Sequence, residues 1–225
     1  MAFDIYPIAG IAEPVSSWSH LCAAGVFLVS SIFVLSRRSR SPRQQISIAI
    51  FALSCVFLLT ISGVYHLLSM TGEARPILQR LDHASIYVMI AGTFTAVHNT
   101  FFSGPARWGT IAAVWLLAVA GITTSVVFFN STPELLDLTI FLWLGWLGAV
   151  SGTVLCAHYG FLFIKPLLYG GLAYTGGAIL EFCRVPSLIP GWFGPHEAFH
   201  VAVLAGLAFH WQFVRHSLDE VSALK

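Results

Sequence analysis

The chain has 225 residues, 57% of them hydrophobic and 9% charged, with a formal net charge of +1. A chain so apolar and so sparsely charged is not a water-soluble globule, and its near-neutral balance gives no electrostatic footprint for nucleic acid. Its cysteines, Cys22, Cys55, Cys156 and Cys183, fall mostly inside apolar stretches and make neither a disulfide framework nor a zinc-finger spacing.

A helix needs about 20 apolar residues to cross a hydrocarbon core of roughly 30 Å. In chain order, segments near Trp18–Ser36, Gln44–Met70, Leu81–Phe102, Ala106–Phe129, Leu135–Cys156, Tyr159–Leu180 and His196–His216 meet that requirement. The first lacks the basic flank and cleavage site of a signal peptide and is expected to serve as its own uncleaved insertion signal. The second is long enough to tilt. These segments predict an all-α polytopic membrane protein, a seven-transmembrane-helix bundle forming a single domain over residues 1–225. Trp18, Trp108, Trp192 and Tyr159 lie near predicted ends and suit interfacial belts.

Basic residues predict the orientation. The loop after the first segment holds Arg37, Arg38, Arg40 and Arg43, whereas the loop between the fourth and fifth carries the acids Glu134 and Asp137. Placing the Arg-rich loop in the cytoplasm also puts Arg107, Lys165, Arg215 and Lys225 there and leaves Arg75, Arg80 and Arg184 opposite. The positive-inside rule then predicts a cell (inner) membrane protein with its N-terminus outside and its C-terminus cytoplasmic.

Three polar pairs stand out against this apolar background: Ser62 with His66, Asp82 with His83, and His196 with His200. His66 lies near the end of the second segment, Asp82 at the start of the third and His196 at the start of the last. In any seven-helix topology these positions share one leaflet. Ser62 and His66 are four residues apart, as are His196 and His200, so each pair stacks on one helical face. Two histidines from one helix and a third from another make a three-nitrogen zinc site with an open position, the pattern of catalytic sites. Asp82 would orient a water or take its proton, and Ser62 would hydrogen-bond Asp82, the water or a substrate carbonyl. The same residues have plainer readings. A membrane histidine often bonds a backbone carbonyl, Asp82 suits a helix N-cap, and Glu197 suits a first-turn acid. His98, His158, His210 and His216 take the plain reading. So do Gly170, Gly171, Gly176 and Gly177, as small faces for helix packing. His20 and Glu13 fall on the face of the polar pairs, where a second-rank or packing role is expected.

Several stretches resemble the hemolysin III family, the bacterial branch of the progestin and adipoQ receptor (PAQR) group, in a superfamily that includes alkaline ceramidases. They are SGVYHLL at 62–68, LDHASIYVMIAGTFT at 81–95, LLYGGLAYTGGAI at 167–179 and HEAFHVAVLAGLAFHW at 196–211. Glu13, Ser19 and His20, VWLLAVAGI at 114–122 and LWLGWLGAV at 142–150 are weaker matches. The resemblance implies zinc on His66, His196 and His200, a zinc-bound water held by Asp82, and Ser62 lining the same site. The family often has a proline where this chain has Ala96, which affects Thr93 and Thr95 rather than the ligands.

Three functions follow as expectations. The first is a zinc-dependent hydrolase of an amide or ester in a membrane lipid. The second is a non-enzymatic receptor or regulator of membrane state with a structural zinc, and the third, disfavoured by the near-continuous apolar helices, is a cytolysin.

Overall fold

A computed structural model of the chain describes residues 5–36, 41–185 and 188–223. Among these residues the protein is helical: α1 (Pro14–Leu35), α2 (Pro42–Leu67), α3 (Arg75–Phe101), α4 (Gly104–Val127), α5 (Glu134–Trp146), α6 (Gly148–Tyr159), α7 (Phe161–Cys183) and α8 (Pro195–Ala223), with a short 3-10 turn at Phe129–Ser131. Only Leu147 separates α5 from α6, so the two make one interrupted span and the described residues form seven rods. The helix starts follow from local sequence. Proline occupies the first turn of α1, α2, α3 and α4, where its missing N–H costs nothing, and Ser41 with Gln44 forms a capping box on α2.

α1, α2, α4 and the α5–α6 span are each long and apolar enough to cross a membrane. α3 is more polar and central: it touches α2, α4, α5 and α8, and most residues from Ala84 to Asn99 are buried. The outer rods turn apolar side chains such as Val29 and Phe33 of α1, Leu116 of α4 and Leu162 of α7 outward. Helices that turn large apolar side chains outward and keep their polar groups buried between them are built for lipid. This is an all-α polytopic membrane protein.

Small residues set the spacing around the polar end. A methyl on Gly63 of α2 would lie 2.6 Å from Cγ of Leu21 on α1, and one on Gly177 of α7 would lie 2.5 Å from Cβ of Ala202 on α8. α1 therefore lies close on α2, and α7 on α8. Gly170 likewise faces the His210 ring, so these two glycines of α7 have the packing role, whereas none of the described residues lies within reach of Gly176.

α1 starts at Pro14 rather than Trp18 and α8 runs on to Ala223 rather than ending at His216, and two further departures have a visible cause. α3 starts at Arg75 rather than Leu81, because the charges that make this stretch read as a loop have partners. The Arg75 guanidinium donates to the carbonyls of Leu68 (2.6 Å) and Tyr65 (3.3 Å), closing the free C-terminal end of α2. Asp82 thus lies seven residues inside α3 and is not its N-cap. The fifth span is broken at Leu147, between Gly145 and Gly148, a break that apolar periodicity does not reveal. Arg37, Arg38, Arg40 and Lys225, which enter the orientation argument, lie outside the described residues.

Candidate metal centre

The end of α2, the starts of α1, α3 and α8, and the end of α7 meet at one end of the bundle. There His66 of α2 converges with His196 and His200 of α8, their ligand atoms all within 4.8 Å of one another. His66 and His200 are buried, and His196 keeps 36% of its side chain exposed, which leaves a way in for water. The Nε2 atom of His196 is 3.1 Å from that of His200 and 3.4 Å from that of His66. At a Zn–N distance of about 2.0–2.1 Å, two nitrogens on a tetrahedral ion stand about 3.3 Å apart, so these separations fit one ion of that size.

Two of the three rings are held from behind. His66 Nδ1 is 2.6 Å from Glu13 Oε2, and the same oxygen accepts from Arg75 at 2.7 Å. Burial disfavours a charge on Glu13, but the contacts with His66 and Arg75 outweigh it and hold the carboxyl at about 2, so it is ionised. His196 Nδ1 stands 3.4 Å from Glu181 Oε1, which Arg184 also contacts at 3.0 Å. The carboxylate of Glu13 favours the ring proton on Nδ1 of His66 and leaves its Nε2 lone pair toward the other two rings, and Glu181 stands in the corresponding position behind His196 at ion-pair distance.

The supports arise from helix ends. Glu13 sits just before α1, and its own N–H donates to His66 O at 3.0 Å, tying the entry of α1 to the last turn of α2. Ser17 donates to Gly63 O at 2.9 Å one turn deeper. Glu197, in the first turn of α8, accepts from Gly194 N–H at 2.9 Å and from Ser16 Oγ at 3.1 Å. It is the first-turn acid expected from sequence, and it also docks α1 against α8. α7 ends with Arg184 in the left-handed conformation (φ 56°), its N–H bonded to Glu181 O, which fixes the stretch that carries Glu181.

Of the residues singled out from sequence, His66, His196 and His200 come together. Asp82 and Ser62 are not among the grouped ligand atoms: Ser62 is buried one turn before His66 on α2, and Asp82 is half-buried in α3. His98 takes its plain role, bonding Ala106 O and Ser151 Oγ, as does His210 with Leu167 O. Sequence reasoning misses Arg75 and Glu181 as site residues. Glu181 does leave a signal, since an acid in an apolar helix needs a partner. Arg75 reads as an ordinary loop cation.

A cavity of about 360 Å³ lies deeper in the bundle, lined almost entirely by apolar side chains of α2, α3, α5, α6, α7 and α8. Its lining includes Leu58, Ile86, Phe199 and Val203, each within about one helical turn of Ser62, Asp82 or His200. Interiors are otherwise close-packed, and this volume lies within the range of small-molecule pockets.

A family model described as "Haemolysin-III related" matches residues 10–211 of the chain. The "Hemolysin-3 homolog" of Bacillus subtilis (strain 168) is 31% identical over 184 residues, covering 81% of this chain and 80% of that relative. "Hemolysin-3" of Bacillus cereus is 32% identical over 129 residues, 57% of this chain and 55% of its own length. The "Heptahelical transmembrane protein ADIPOR3" of Oryza sativa subsp. japonica is 32% identical over 173 residues, 69% of this chain and 42% of its own.

Proposed function

The chain belongs to the haemolysin-III-related family, and on that premise we propose that it is an intramembrane zinc-dependent hydrolase acting on a lipid amide or ester. One observation carries the metal: the Nε2 atoms of His66, His196 and His200 face one another while Glu13 and Glu181 stand behind two of the rings. Lone pairs at 3.1 and 3.4 Å repel unless positive charge lies among them. A single proton serves one of those contacts, whereas a divalent ion serves all three nitrogens. Among the described residues the donor set is three nitrogens with no thiolate and no fourth protein ligand, which suits zinc with an open position.

When bound, zinc supplies Lewis acidity and makes hydroxide available near neutral pH. The remaining roles belong to the protein. Asp82 receives the proton of the attacking water and delivers it to the leaving group. Ser62 donates its hydroxyl to the scissile carbonyl. The apolar cavity holds the hydrocarbon part of the substrate, placing the amide or ester beside the centre and limiting water to the side where His196 is exposed.

The lipid partner enters from the bilayer, into which the outward apolar faces fit the whole chain as one domain. We read the membrane as the cell (inner) membrane, with the metal end outside and the C-terminus cytoplasmic, on the positive-inside bias. A structural contribution of zinc has its own support. α2 and α8 share little direct packing, so His66 on one and His196 with His200 on the other would be clamped by the ion. In a receptor or regulator that clamp would be its whole purpose.

The test is turnover by purified protein in lipid nanodiscs against a panel of N-acyl and O-acyl lipids, beside Asp82→Asn. Hydrolysis by the parent, with loss of turnover and retention of metal in the variant, is the expected result. Full activity of Asp82→Asn on a substrate that the parent hydrolyses would remove Asp82 from the chemistry, and saturable lipid binding without product would favour the receptor reading.

A further inference from the structure

α1 turns a polar face to the metal centre. Glu13, Ser16, Ser17 and His20 recur at helical spacing and are buried or nearly so. The first three have their partners in His66, Glu197 and the carbonyl of Gly63. His20 is the exception. It is 3% exposed, and neither Nδ1 nor Nε2 has a hydrogen-bond partner among the described residues. Its ring lies against that of His200, with centroids 4.1 Å apart.

His200 is also incomplete on that side. Of the three clustered histidines, His66 has Glu13 at Nδ1 and His196 has Glu181, but the Nδ1 of His200 is buried without a partner among the described residues. Three unpartnered ring nitrogens therefore sit in one place. A neutral imidazole offers one donor and one acceptor, and burial leaves such groups unsatisfied only at a cost. The rings lie tilted at 38° with no direct hydrogen bond between them, so a hydrogen bond carried by one water from His200 Nδ1 to a His20 nitrogen would satisfy a group on each ring. It also leaves the His200 proton on Nδ1 and its Nε2 lone pair free for the centre.

We propose that His20 is the positioning residue for His200, supplying a neutral partner where the other two histidines have carboxylates. The inference rests on the zinc reading above. The difference in charge has a consequence. Glu13 and Glu181 face Arg75 and Arg184, whereas His20 brings no charge, so its loss weakens metal binding without exposing an unbalanced ion.

The full-length protein in detergent, loaded with Zn²⁺ or Co²⁺, tests this with His20→Phe, which keeps a ring but no polar atom, and His20→Gln, which keeps donor and acceptor. His20→Ala serves the same comparison should the Phe ring not fit. We expect Zn²⁺ affinity in His20→Phe to fall by about 10- to 100-fold, the visible Co²⁺ spectrum to change, and His20→Gln to restore most of both. Parent-like affinity and spectrum in His20→Phe would reduce His20 to packing, and a loss that His20→Gln does not relieve would contradict the hydrogen bond. Absence of metal from His20→Phe as complete as from His200→Ala would make His20 a ligand instead. If the parent itself bound neither ion, the zinc reading would fail and this inference with it; the other outcomes overturn this inference alone.

Discussion

Removing Glu13 separates the two tasks that its carboxylate performs. Glu13→Ala deletes the acceptor behind His66 and the counter-charge of Arg75, whose side chain is only 10% exposed. Loss of an outer hydrogen-bond partner of a metal-bound histidine costs about 10- to 100-fold in metal affinity, or about 1.4–2.7 kcal/mol. Stranding a buried charge costs about 3–5 kcal/mol of stability. Here the low end applies, because Glu13 is itself 14% exposed and Arg75 keeps the carbonyls of Leu68 and Tyr65. Glu13→Gln retains a neutral acceptor and is expected to lose less of both. Zinc affinity measured by competition with a calibrated chelator, alongside thermal unfolding of the metal-free protein, reads the two effects separately. Parent-like zinc affinity in Glu13→Ala would refute the link between Glu13 and the centre, whatever happened to stability.

Gly63→Ala places a methyl 2.6 Å from Leu21 Cγ and 3.1 Å from its backbone nitrogen, so α1 must shift and carry Glu13 from His66. Weaker zinc binding is expected by the same competition assay, and unchanged binding would show that the approach of α1 is not what sets the site. Ala178→Phe fills part of the 360 Å³ cavity; lipid turnover or binding should fall while zinc content, measured by elemental analysis, stays at the parent level. Acidification should release the metal, because protons compete with the ion for the imidazole nitrogens. Zinc content after dialysis at graded pH follows this, and a content that does not fall with acid at any pH at which the protein stays folded would argue against histidine ligation. Chelation should lower the thermal midpoint of the parent but not of His66→Ala, since the ion joins α2 to α8.

The parts of this arrangement that are legible in the sequence are those with short-range periodicity. Apolar runs mark the spans, and the four-residue spacing of His196 and His200 by itself puts two rings on one helical face. Loop parity brings His66 to the same end. The supports are harder to read because they join residues far apart in the chain: Glu13 meets His66 across 53 positions, and Ser16 meets Glu197 across 181. Arg75 is hidden by its charge, which fits a loop until the carbonyl end of α2 and the carboxylate of Glu13 surround it. The cavity depends on side-chain packing of six helices and on the break at Leu147, neither of which has a sequence period.

Elemental analysis of the purified protein beside a His196→Ala/His200→Ala double variant tests the metal centre most directly. Close to one zinc per parent chain and almost none in the variant is the expected result. A well-folded parent without bound metal would contradict it and leave the three histidines as a hydrogen-bonded polar core.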